Sequence, residues 1–142
     1  MSDAPVPEVK KLTADECWQQ LGPEGLGRLA VLSADASAKP GDIDIFPVNF
    51  TAHDGAVFFR TAPGSKLEDL TANKRVAFES DGVDGTDAWS VVIRGDATRL
   101  SADPDIEDAG VLGLKSFHPS DKWNYVRITV DAISGRRFTR AT

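Results

Sequence analysis

At 142 residues, with 41% hydrophobic and 27% charged side chains, the chain has the size and composition of one globular domain that buries its own core, which excludes a disordered or fibrous protein. A net charge of −6 with scattered Lys and Arg disfavours nucleic acid and anionic lipid as partners, the one basic cluster being "GRRFTR" near the end. The single cysteine, Cys17, rules out an internal disulfide, and no apolar run has the length of a signal or membrane segment, so a cytoplasmic protein is expected.

In chain order, residues 1–12 are Pro-rich and charged and read as an N-terminal arm, mobile or laid along the domain. Thr13 and Glu16 stand at capping-box spacing, and Cys17, Trp18 and Leu21 give a short helix its apolar side before Gly22-Pro23 stops it. The pattern then turns to strands: "GRLAVLSA", "DIDIFPVNFT" and "GAVFFRTA", each bounded by Gly, Pro or Asp. A second helix is predicted from Ser65 to about Asn73. Further strands follow in "RVAFESD", "WSVVIRGDATRL" and "WNYVRITVDAI", separated by an Asp/Gly loop at 81–87 and a weakly helical stretch near 104–114. About six strands with tight connections point to a mainly β fold with a few short helices, an antiparallel barrel in a single domain over residues 13–142. "AVFF" and "SVVI" carry apolar residues on both faces, which calls for a second copy of the chain or for covering helices.

The most informative stretch is "FFRTAPGSKLEDL", Phe58 to Leu70, in which a strand passes through Pro-Gly into a helix opening with Ser-Lys. Ser65 and Glu68 have capping-box spacing, which predicts Ser65 as the N-cap. A cation in a first helical turn opposes the helix dipole by a few tenths of a kcal/mol, so Lys66 is misplaced unless something anionic binds there. Exposed amides, the Ser65 hydroxyl, the Lys66 charge and close approach at Gly64 together describe a phosphate site, with Arg60 and Thr61 in reach at the end of the preceding strand. The competing reading is an ordinary strand-turn-helix with a solvated Lys, because Gly-Ser-Lys is a short signal.

Taken in order, "RLAVLSA", "DIFPVNF", "GAVFFRTAPGSKLEDL", "RVAFESD", "WSVVIRG" and "WNYVRITVDAISGRRF" resemble the flavin-binding split-barrel proteins of the pyridoxamine 5'-phosphate oxidase-like superfamily, in particular its small actinobacterial-type members. The resemblance runs from Glu16 to Phe138. It implies a six-stranded antiparallel split β-barrel of the FMN-binding type, a homodimer, and FMN at the subunit interface. It places the cofactor phosphate on Arg60, Thr61, Ser65 and Lys66, and the isoalloxazine ring along Phe46, Pro47, Val48, Asn49 and Phe50. Trp89 and Trp123 become candidates for aromatic contact, Trp123 from the second subunit, although each is as readily a core residue. Arg94, Arg127, Arg136 and Arg137 could reach a cofactor or an anionic substrate, or simply lie on the surface.

Apart from a cofactor, little chemistry is available. His53 lies in a hairpin context and His118 in a polar segment, and with Cys17 they lack metal spacing. The carboxylates at 81, 84 and 87 lack the alternation and closing Glu of a calcium loop, and no metal is expected. Cys17, on an apolar helix face with no adjacent cation, reads as an inert packed thiol. This scarcity suits a flavin-dependent oxidoreductase acting on a small molecule, since electron transfer is the cofactor's own chemistry. Two other functions stand beside it. One is use of the deazaflavin coenzyme, whose acidic tail would draw on Arg28, Lys74 and Arg75; the other is non-catalytic flavin binding, storage or sensing. The turn "SADASAKPGDI" and the segment "KSFHPSDKW" depart from the usual family pattern and are where specificity would differ.

Overall fold

Thr13 starts the first helix as its spacing demands: its hydroxyl accepts the Glu16 N–H at 3.2 Å while the Glu16 carboxylate accepts the Thr13 N–H at 3.0 Å. The computed structural model describes residues 8–62, 64–100 and 124–140. These form β1 (Val9–Leu12), α1 (Ala14–Leu21), β2 (Glu24–Leu32), β3 (Ile43–His53), β4 (Ala56–Thr61), α2 (Ser65–Ala72), β5 (Arg75–Asp84), β6 (Asp87–Leu100) and β7 (Asn124–Thr139). The helix expected near 104–114, together with Trp123 and His118, lies outside the described residues.

All pairings are antiparallel, in the order β1-β7-β4-β3-β2-β5-β6, and a further β6–β7 pairing closes the sheet into a ring. The fold is the split barrel that the sequence resembles, with one strand more than expected. The end of the N-terminal arm is β1, paired with the last residues of β7 from Val9↔Phe138 to Leu12↔Gly135. Residues 81–87 are not a loop: β5 and β6 stay paired as far as Asp84↔Asp87, leaving a two-residue turn at Gly85-Thr86. Gly85 takes φ 63°, which permits so tight a turn, so the carboxylates of this stretch stand on strands.

Period-2 alternation builds the interior. Leu29 and Val31 of β2, Val48 and Phe50 of β3, Val57 and Phe59 of β4, Phe78 of β5, Val91 and Ile93 of β6, and Val126 and Ile128 of β7 all point inward and are buried. Phe50 and Phe78 meet edge to face at 5.0 Å. Cys17 and Leu21 of α1 join this core, and burial pushes the Cys17 thiol up. The second apolar face of "AVFF" is covered within the chain itself: Ala56 and Phe58 form an outer cluster with Leu100, against which Tyr125 packs. Trp89 is partly buried, packed on the main core with its indole close over Gly82.

Candidate functional site

The feature that organises the site is a divergence of two strands. β7 pairs with the whole of β4, from Ala56↔Thr129 to Thr61↔Asn124, whereas β3 pairs with it only from His53↔Ala56 to Phe50↔Phe59, so beyond Phe59 β4 runs on with β7 alone. Residues 43–49 of β3 therefore pair with β2 on one side, and no described strand covers the other edge. Beyond the split, β4 ends at Thr61 and α2 begins, so the helix N-terminus and the open β3 edge belong to the same end of the barrel.

Gly64, not Ser65, is the N-cap of α2. The Glu68 N–H donates to the Gly64 carbonyl at 3.0 Å, which places Ser65 as the first helical residue and removes the expected Ser65–Glu68 capping box. The reason is conformational: Gly64 has φ 155°, which side-chain-bearing residues rarely adopt, and a Cβ there would meet only open space. With no side-chain cap, the amides of the first turn remain directed out of the helix. Lys66 stands among them, half-buried, with its ammonium 5.3 Å from the centre of the Phe46 ring. Among the described residues no carboxylate pairs with it, and burial pushes its ammonium down. The Lys66–Phe46 contact spans the gap between α2 and β3, a cation–π interaction worth about 0.5–1 kcal/mol.

The other expected residues divide by face. Val48 and Phe50 are core residues, 2% and 0% exposed, so neither side chain faces the gap; Val48 lies on the open edge through its backbone alone, and Phe50 is paired there with Phe59. Pro47 and Asn49 lie on the outer face, cross-strand from Arg28 and Leu26. Arg60 lies on the outer face of β4 opposite Tyr125, whereas Thr61 is buried and its hydroxyl donates to the Ala62 carbonyl at 3.3 Å. The Thr61 side chain is thus not brought beside that of Arg60. Trp123 is outside the described residues.

Beside Pro47, on the same outer face, is a group the sequence did not reveal. Arg28 donates to Glu79 Oε1 at 2.8 Å and to Asp81 Oδ2 at 2.6 Å. Desolvation, then the neighbouring Asp81, push the Glu79 carboxyl up to about 7 against the pull of Arg28. Asp81 is held low by its hydrogen bonds to Glu79 and Arg28, so of the two carboxyls Glu79 is the one that takes up a proton more readily. The partners lie 51 and 53 residues from Arg28, beyond any local pattern.

Two other cations, Arg75 and Arg137, are already paired. Arg75 is held by Asp131 and Asp96. Arg137 clamps the β5–β6 hairpin to α1 through Asp84, Asp87 and Gln20. Arg94 and Arg136 line a separate groove with Lys11, away from the α2 terminus.

The pyridoxamine 5'-phosphate oxidase family model matches residues 13–137. The chain belongs to this family. Among solved structures of relatives, a candidate pyridoxamine 5'-phosphate oxidase from Corynebacterium glutamicum is 39% identical, with a TM-score of 0.76 over 94% of this chain and 100% of that one. The FAD-binding protein of Mycobacterium smegmatis is 34% identical, with a TM-score of 0.69 over 92% of this chain and 98% of that one. A FAD-binding protein from Mesorhizobium loti is 26% identical, with a TM-score of 0.76 over 91% and 97% of the two chains. Within this pyridoxamine 5'-phosphate oxidase family member, no described helix is long and apolar enough to cross a membrane, and no described cluster of His, Cys, Asp and Glu could hold a metal ion.

Proposed function

We propose that this family member binds flavin mononucleotide in the gap between the open β3 edge and the N-terminus of α2, and acts as a flavin-dependent oxidoreductase on a small molecule. The observation that carries the reading is Lys66, a half-buried cation with no described carboxylate partner, set among outward-directed first-turn amides. Such a group is unfavourable alone and favourable beside a phosphate. The fit extends along the gap: Gly64 leaves room for close approach, and residues 43–48 form a strand edge that no described strand covers, open to the polar edge of a ring. A bound flavin supplies hydride or electron transfer. The chain's own part is to hold the phosphate at Lys66, orient the ring along Phe46–Phe50 and keep water from one side of it.

We place the site at a homodimer interface. Ile43 and Ile45, 63% and 67% exposed, with Leu26 and Leu32, make an apolar outer surface around the open edge. Covering it with a second copy would also enclose the gap. FAD is the second reading, favoured by the two relatives named as FAD-binding proteins. The pairing of Arg28 and Arg75 with carboxylates weighs against the long acidic tail of the deazaflavin coenzyme.

Parallel fluorescence titrations with FMN, FAD and the deazaflavin coenzyme test the reading. FMN should saturate at one per chain, and Lys66→Ala should weaken it by more than about tenfold, the loss of one charge-assisted contact, while the fold is kept. An unchanged dissociation constant in Lys66→Ala removes this residue from the site, and binding of none of the three removes the flavin. A flavin that is held but that no donor reduces would favour storage or sensing over catalysis.

A further inference from the structure

Where β1, β7 and β6 lie side by side, the sheet carries a groove of about 520 Å³, a volume in the range of small-molecule sites. Three cations line it, Lys11 of β1, Arg136 of β7 and Arg94 of β6, and no described carboxylate does. None of its lining residues belongs to the flavin gap or to the apolar surface around the β3 edge.

The strand register sets these cations apart. Lys11 stands directly opposite Arg136, a like-charge pair of the kind that destabilises a sheet. The next position along is also a like-charge pair, Lys10 opposite Arg137, but there each cation is neutralised, Lys10 by Glu16 and Arg137 by Asp84 and Asp87. Arg28 and Arg75 are likewise each held by two carboxylates. Among the described residues no carboxylate pairs with Lys11, Arg94 or Arg136. The nearest across the β5–β6 ladder, Glu79 opposite Val92 and Asp81 opposite Ser90, are both engaged by Arg28. In a chain with 22 Asp and Glu against 16 Lys and Arg, a groove that gathers three cations and no acid calls for an anion from outside.

The spacing says what kind of anion. Arg136 lies opposite Ser90, and Arg94 stands four residues further along β6, roughly 13 Å at the rise of a strand. Between these two ends Val92 faces Ser134 across the ladder, one an apolar side chain and the other a hydroxyl. A compact inorganic anion would meet one end only. We propose that this groove binds a small linear dicarboxylate, one carboxylate held between Lys11 and Arg136, the other at Arg94, with the methylene chain along Val92.

The site is tested without flavin. Calorimetric titration of the intact chain with hexanedioate, at low salt and near-neutral pH, should show saturable binding of one dianion per chain. Hexanoate, of the same length with a single carboxylate, should bind about tenfold more weakly or worse, the loss of one charge-assisted contact. Arg136→Gln should weaken hexanedioate by about tenfold or more, and Arg94→Gln should bring it down to the affinity of hexanoate. Arg99→Gln, on β6 but exposed outside the groove, makes the same charge change and should leave binding unaltered. Because Arg136 faces Lys11 without a carboxylate, Arg136→Gln should keep or raise the melting temperature of the ligand-free protein. Absence of saturable binding, equal affinity for hexanedioate and hexanoate, unchanged affinity in Arg136→Gln or Arg94→Gln, or as large a loss in Arg99→Gln would overturn the proposal. So would tighter binding of inorganic phosphate than of hexanedioate, or a lower melting temperature in ligand-free Arg136→Gln, which would make that cation a structural one.

Discussion

Gly27→Ala is the sharpest test of the packing behind the site. Gly27 is buried in β2, and the space where its side chain would stand is taken by the ring of Phe78. A Cβ there would lie 2.3 Å from Phe78 Cζ, 2.5 Å from Cε2 and 2.8 Å from the Glu79 carbonyl oxygen. Carbon atoms pack at about 3.5–4.0 Å, so the ring would have to retreat by more than about 1 Å. It cannot do so freely, since Phe78 is 1% exposed and locked edge to face on Phe50. The Glu79 contact is with backbone, so β5 itself must also move away from β2. Overpacking of this kind costs about 1–3 kcal/mol, and adding strand displacement puts the expected loss near the upper end, roughly 3 kcal/mol. For a domain of this size that lowers the melting temperature by roughly 10 °C. Thermal and urea unfolding measure it, with Gly25→Ala as comparator: its Cβ meets only Phe50 ring atoms, at 3.2 Å, and should cost within about 1 kcal/mol. If Gly27→Ala melts no lower than Gly25→Ala, the assigned packing of Phe78 under β2 is wrong. Gly27 also pairs with Val48, so the displacement should reach the β3 edge and weaken FMN as well.

Glu79 predicts a pH dependence. Its folded-state value of about 7 is raised from 4.5, so between these values the folded protein holds a proton that the unfolded chain releases. The associated stability is fully present below pH 4.5 and is lost as pH rises through about 7. Glu79→Gln should flatten this decline and exceed wild type above neutrality by on the order of 1 kcal/mol, a figure reduced for partial solvent exposure. Urea unfolding on both sides of neutrality checks it, and parallel pH profiles for the two proteins would count against the assignment. Cys17 is fully buried with its thiol pushed up by burial, so a thiol reagent should be nearly inert toward the folded protein and react at once in urea; rapid modification of the native state would place Cys17 on an accessible surface.

Much of this architecture is legible in local patterns. The Thr13–Glu16 box, the six expected strands and the Asp54-Gly55 hairpin turn, with both residues at positive φ, are set by neighbours within a few positions. Where a local pattern failed, a specific competitor prevailed. Ser65-x-x-Glu68 has capping spacing, yet the positive φ of Gly64 starts the helix one residue earlier. The charged end of the N-terminal arm looks unstructured alone and becomes β1 only because the edge of β7 offers Arg136 to Phe138 as partners for Val9 to Lys11.

The sequence by itself determined the β-rich class, the first helix, the strand-turn-helix bearing Lys66 and the family, because propensity, capping and period-2 burial act over a few residues and their ordered succession is specific. Only the tertiary structure decided that β4 parts from β3 beyond the Phe50–Phe59 pair, that Arg28 meets Glu79 and Asp81, and that Asp69 is buried beneath a loop anchored 35 residues earlier. Each of these depends on which distant strands share an edge when the ring closes. That choice is made by the packing of residues far apart in the chain, and no window of sequence contains it.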